Sequence, residues 1–193
     1  MRTLLFIALI ISTLRGIAQD DSSATNRIYW SEWYQLEWSD FEGAPIVREK
    51  VAALSSIGLP YSYSTDGEGS MTIQINVCFI KDESWSKEEK ENNVLLQHEQ
   101  LHFDIAELHR RKIVKRLMEA EFTKSNYSEL LDQIVEQVWS NAYRSVQDKY
   151  DEETNFSRIF KEQINWNKFI TQELRNYEDY SFTEIEVSLI NFD

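Results

Sequence analysis

Residues 96–109 read LQHEQLHFDIAELH, with His98 and His102 four positions apart and Glu99 directly after the first. On an α-helix a spacing of four stacks two side chains on one face, so two imidazoles can converge on one metal ion. Zinc held by imidazoles makes a water molecule acidic and polarises a carbonyl. A glutamate one residue after the first histidine points about 100° away, where it reaches such a water without ligating the metal. The pattern therefore points to amide hydrolysis, with His98 and His102 as zinc ligands and Glu99 as general base.

Two histidines leave a catalytic zinc one protein ligand short. His109 is the only other histidine. It shares the stripe but lies about 10 Å further along the axis than His102, so it reads as structural. Glu107 points to the opposite face, and the third ligand is expected from later in the chain. A di-iron carboxylate site would need a second Glu-x-x-His on another helix, which no remaining histidine supplies. A serine hydrolase of the α/β class would need a G-x-S-x-G elbow, which is not in the sequence.

The histidine segment must be a helix for this to hold. With His98 at 0° and about 100° per residue, Val94, Leu95, Leu101, His102 and Ile105 fall within about 60° of it, so both histidines lie inside an apolar stripe. Ser86-Lys87-Glu88-Glu89 has the form of a capping box and predicts a helix start, with nothing to break the chain until about Phe122. Further helical patterns span roughly 128–150 and 159–177. Before them, odd positions alternate from Ala53 to Tyr63 and from Met71 to Phe79, joined through Asp66-Gly67-Glu68-Gly69, which predicts an antiparallel hairpin. The tail through Ile185, Val187 and Leu189 alternates again and predicts one more strand. A hairpin followed by long helices is an α+β arrangement, the helices packed on one face of the sheet.

Composition sets the context. Residues 1–18 have the layout of a secretory signal: Arg2, an apolar run from Leu4 to Leu14, and Gly16-Ile17-Ala18. The expectation is export, to the periplasm or outside the cell, with residues 19–193 as a single domain and no membrane insertion after cleavage. Removing Arg2 and Arg15 takes Lys+Arg from 20 to 18 against 33 acids, so the formal charge moves from −13 to −15. A chain this acidic is unsuited to nucleic acid, which needs clustered Lys and Arg. Cys78 is the single cysteine; it excludes an internal disulfide and reads as a small buried hydrophobe. Trp30, Trp33 and Trp38 form a close cluster that reads as a cap on the core, with a glycan or peptide platform as the alternative.

The stretch LLQHEQLHFDIAELHRRKI resembles the signature of the bacterial domain-of-unknown-function family 922. LEWSDFEGAP, ALSSIGLPYSYS and YDEETNFSRIFKEQINWNKFI resemble further segments of that family. The resemblance implies a zincin-like fold and a zinc-dependent peptidase acting on a peptide or protein substrate, with His98 and His102 as ligands and Glu99 as base. Relatives carry a histidine after YDEETN, where this chain has Phe156. Asp151, Glu153 and Asn155 are the candidates for the missing ligand, since zinc accepts carboxylate oxygen. The alternative is a non-catalytic binding protein of the cell envelope that keeps the fold after losing that ligand.

Overall fold

The computed structural model describes residues 26–46 and 51–190. The expected signal, residues 1–18, lies outside them. Among the described residues, no helix is long and apolar enough to cross a membrane.

The histidines lie on α1, Asn93–Glu119. Its start differs from the expected capping box. Asn92 is the cap, its side-chain oxygen accepting from the Val94 and Leu95 amides at 3.0 and 3.1 Å. The Ser86 hydroxyl instead donates to the Glu91 carboxylate at 2.6 Å, and Glu88–Lys90 forms one 3-10 turn. A capping signature needs the next residues to be helical, and here they turn too tightly. The helix stops where Ala120 turns extended.

The strands break more often than the alternation suggests. The short strands β1 (Arg27–Tyr29), β2 (Ala53–Leu54) and β3 (Ile57–Gly58) come before Pro60. Then β4 (Tyr61–Thr65) and β5 (Ser70–Ile75) form the expected hairpin, pairing Tyr61 with Ile75 and Thr65 with Met71. Proline has no N–H to give a ladder, so the first predicted strand divides at Pro60. The second divides after Ile75, and β6 (Cys78–Ile80) pairs antiparallel with both β1 and β3. β2 pairs with β7 (Trp85–Ser86). The tail forms β9 (Glu184–Ile190), which lies between β5 and β8 (Phe122–Thr123), giving the order β4-β5-β9-β8. The architecture is mixed α and β, as expected from the pattern.

After α1, α2 (Tyr127–Val135) runs through a π-helical stretch, Glu136–Tyr143, into α3 (Arg144–Thr154). A π turn takes in one more residue than an α turn, so it rotates the next helical segment about the axis. Leu131, Ile134, Val135 and Val138 therefore face the main core, with Met71, Ile73, Ile75, Phe79, Phe103, Ile113 and Leu117. Beyond the π stretch, Tyr150 joins a second cluster with Leu101, Ile105 and Leu108 of α1 and Trp166 and Ile170 of α4 (Phe160–Asn176). Trp139 and Tyr143 stack at 4.1 Å across the π turn.

Trp30 and Trp38 pack against the core, and the Trp30 indole donates to Asp104 at 2.9 Å. Trp33 stands 86% exposed. Cys78 is buried, and that burial pushes its thiol up to about 11, as suits a packed hydrophobe.

Glu107, which the helical wheel set on the far face of α1, is buried with Arg110 and Arg111. Arg110 grips its carboxylate at 2.7 and 2.6 Å and also donates to the carbonyls of Ser181 and Phe182. Arg111 donates to Glu107, to the Leu174 carbonyl and to Glu178. This network ties α1 to the end of α4 and the approach to β9. Removing one partner leaves a buried charge uncompensated, so Arg110→Met is expected to cost about 3–5 kcal/mol in urea unfolding; a loss below about 1 kcal/mol would contradict it.

His109 packs on Tyr143 and donates from Nδ1 to the Ile105 carbonyl at 2.7 Å, confirming a structural place. Burial, with Lys112 nearby, lowers its pKa from the usual 6.5 to about 4. A depressed pKa means stability that is complete above pH 6.5 and lost as pH falls toward 4. That loss amounts to about 3 kcal/mol from this group. In His109→Leu, unfolding measured from pH 7 to 4 should lose that part of the slope; an unchanged slope would refute the assignment.

Candidate metal centre

Asp151 is the residue that α3 brings to the two histidines. Its Oδ1 lies 3.0 Å from His98 Nε2 and 3.1 Å from His102 Nε2, and the two Nε2 atoms are 3.1 Å apart. Among the described residues, these three form a group whose ligand atoms could hold a metal ion. Zinc bonds of about 2.0–2.2 Å at tetrahedral angles set donors roughly 3.3–3.5 Å apart. The observed triangle is tighter by only a few tenths of an ångström, and its donor types, two imidazoles and a carboxylate, are ones that zinc accepts. The residues fit the ion.

Glu153 and Asn155, the other two candidates, are not part of that group. Glu153 accepts from the Trp166 indole at 2.9 Å and lies 3.6 Å from Lys149. Asn155 ends α3 in the left-handed region, at φ 47°. Phe156 and Ser157 come next at φ 52° and 69°, an unusual run for residues other than glycine. The Phe156 amide and the Ile159 amide donate back to the carbonyls of Asp151 and Thr154 at 2.9 and 2.8 Å, closing the reversal into α4. The Phe156 side chain is 41% exposed, and it is Asp151 that meets the histidine nitrogens.

Each imidazole is held at its second nitrogen. His98 Nδ1 lies 3.1 Å from Gln163 Oε1 on α4, and His102 Nδ1 lies 2.5 Å from Gln147 Oε1 on α3. Tyr150 stacks on the His98 ring at 4.5 Å and 24°. His98 is buried, while the His102 side chain is 13% exposed and Asp151 30%, so the cluster opens to solvent on the Asp151 side.

Glu99 is buried beside the cluster, close enough for its charge to act on His102. Ser55, in the link between β2 and β3, donates to Glu99 Oε2 at 2.7 Å. Among the described residues nothing donates to Oε1, and that atom is not sealed from solvent. One carboxylate oxygen is thus anchored and the other accepts no hydrogen bond from the described residues. Ser55, Gln147 and Gln163 carry no spacing signature in the sequence. The 147, 150, 151, 154 stripe, with a buried Tyr150 and Thr154, was the signal that could have favoured Asp151 over Glu153.

Residues 83–157 match the family model described as "Bacterial protein of unknown function (DUF922)". That segment contains α1 and all of α3, and it is the part of the chain that is similar to the family. The segments LEWSDFEGAP and ALSSIGLPYSYS lie outside the matched stretch. No curated protein and no solved structure matches the chain.

Burial alone would lower the His102 pKa, but the Asp151 carboxylate, its hydrogen bond and Glu99 raise it from 6.5 to about 9. For Asp151, burial works against ionisation, yet His102 and His98 hold the carboxyl well below the usual range. A raised histidine pKa stabilises the metal-free fold fully below pH 6.5, and that contribution disappears as pH rises through about 9. A divalent ion must displace the same proton. Zinc affinity from chelator competition should therefore rise about tenfold per pH unit between pH 6.5 and 8. An affinity flat over that range would contradict the shared proton.

Proposed function

We propose that this chain is a zinc-dependent metallopeptidase with a zincin-like arrangement, exported by its N-terminal segment and acting on peptide or protein substrates. The observation that carries the proposal is the meeting of His98, His102 and Asp151 Oδ1 within 3.1 Å of one another, with Glu99 beside them. A zinc ion held there would supply Lewis acidity toward a carbonyl and a lowered pKa for an attacking water.

The chain's own residues account for the rest of the chemistry. Ser55 fixes the rotamer of Glu99 through Oε2, and Oε1 is the atom that takes a proton from the attacking water and returns it to the departing amine. Asp151 supplies the negative charge that a set of neutral imidazoles lacks. Tyr150 closes the inner side of His98, which keeps bulk water from competing at that ring. Two histidines and one carboxylate also form the donor set of mononuclear ferrous oxygenases. The buried Glu99, one helical step from His98, is a general base such chemistry does not require, and it favours hydrolysis.

The rival reading, a binding protein that lost its third ligand with Phe156, predicts a packed Phe156 ring opposite the histidines. Asp151 stands there instead, which supports the catalytic reading. The test is metal content of protein purified without chelator or His-tag, and then hydrolysis of a peptide library. About one zinc per chain is expected, lost in His98→Ala and Asp151→Ala. Glu99→Gln should keep the zinc and lose about 10²–10⁴-fold in hydrolysis. A native protein without zinc, or one that carries iron instead, overturns the proposal.

A further inference from the structure

The two glutamines behind the histidines have a role that the metal ligands alone do not explain. Neutral imidazole carries one proton, on either nitrogen, and only the bare nitrogen can bind a cation. Which nitrogen is bare depends on what the other one touches. Here the neighbours of both Nδ1 atoms are amide groups, and an amide can face a ring with its oxygen or its nitrogen.

The surrounding bonds decide which end faces the ring. The Gln147 amide nitrogen donates to the His102 carbonyl at 3.0 Å, which turns Oε1 toward His102 Nδ1. The Gln163 amide nitrogen donates to Asn167 Oδ1 at 3.1 Å, and Tyr150 donates its hydroxyl proton to Gln163 Oε1 at 2.8 Å. Both ring-facing atoms are therefore acceptors. An acceptor next to Nδ1 requires a proton on Nδ1 of each ring, so Nε2 is the atom that faces Asp151 and that a cation can take once the shared proton leaves.

We propose that Gln147 and Gln163 are positioning residues that lock both imidazoles in the Nδ1–H form and so preassemble a divalent-cation site with Asp151. The inference rests on the metal reading above. It adds that the outer ring of acceptors is neutral rather than anionic. With Asp151 as the only charged ligand, the site keeps a net formal charge of +1 when a divalent ion is bound. An acidic outer ring would cancel that charge and weaken the pull on a substrate carbonyl.

The experiment compares wild type with Gln147→Met, Gln163→Met and Gln147→Glu, reading zinc affinity by chelator competition and ring protonation by nitrogen-15 histidine spectra of the zinc-loaded protein. Wild-type spectra should place the proton on Nδ1 and the metal on Nε2 in both rings. The methionine variants, which keep bulk but lose the acceptor, should bind zinc about 10–100-fold more weakly. Gln147→Glu retains an acceptor and should keep wild-type affinity or exceed it. Thermal unfolding runs alongside; if Gln163→Met does not fold, the half-buried Gln147 carries the comparison.

The outcomes separate the two claims. A wild type that binds zinc while both methionine variants bind within about threefold of it overturns the role of the glutamines and leaves the metal site standing. Spectra showing metal on Nδ1 of either ring do the same. A wild type that binds no divalent ion overturns the metal reading and this inference with it.

Discussion

Helix α1 is buried on several sides and yet carries His98, Glu99, Gln100, Glu107, His109, Arg110 and Arg111 in its buried set. Burying a polar group without a partner costs on the order of 1–3 kcal/mol, more for a charge, so each of these side chains dictates what must lie opposite it. Leu36 donates its amide to Gln100, Ser55 meets Glu99, α3 and α4 supply Asp151, Gln147 and Gln163, and the approach to β9 closes on Arg110. Among the described residues no buried side-chain polar atom lacks a partner. The apolar clusters supply the driving force for collapse, and the polar groups of α1 choose among the ways of collapsing.

That division explains what could be read in advance. Apolar periodicity is local, so the histidine stripe, the β4–β5 hairpin, the β9 strand and the mixed architecture all showed in the sequence. Glu107 lay on the opposite side of the helix, as its phase required, but its burial did not show, because nothing local announces that a charged residue will find two arginines and a cap of carbonyls. The start of α1 was misplaced for a related reason. Ser86 and Glu89 have the right types, but Asn92 offers the oxygen that meets free amides.

The candidate third ligand illustrates the limit more sharply. Asp151, Glu153 and Asn155 all offer an oxygen donor and lie within five residues of one another along the chain. Their separation depends on the rotation that the π-helical stretch 136–143 gives to α3, and on where the left-handed run at 155–157 ends that helix. A π turn has no composition rule that distinguishes it from the α-helix around it. Asp151 is also one residue after Tyr150, whose burial in the second cluster fixes the face that α3 turns toward α1. The packing of one aromatic ring thus selects which acid reaches the histidines.

The cluster itself is an electrostatic constraint. Two imidazole nitrogens and a carboxylate oxygen at 3.0–3.1 Å are all acceptors when the rings are neutral, and three acceptors so close repel unless something positive lies among them. A proton answers that need in part, which is why His102 rises to about 9 and Asp151 falls. A proton can lie on only one edge of the triangle at a time, whereas a divalent cation can address all three corners together. The fold therefore holds these three side chains in a geometry that a proton stabilises incompletely. Glu99 is set just outside it, tied at one oxygen by Ser55 and open at the other.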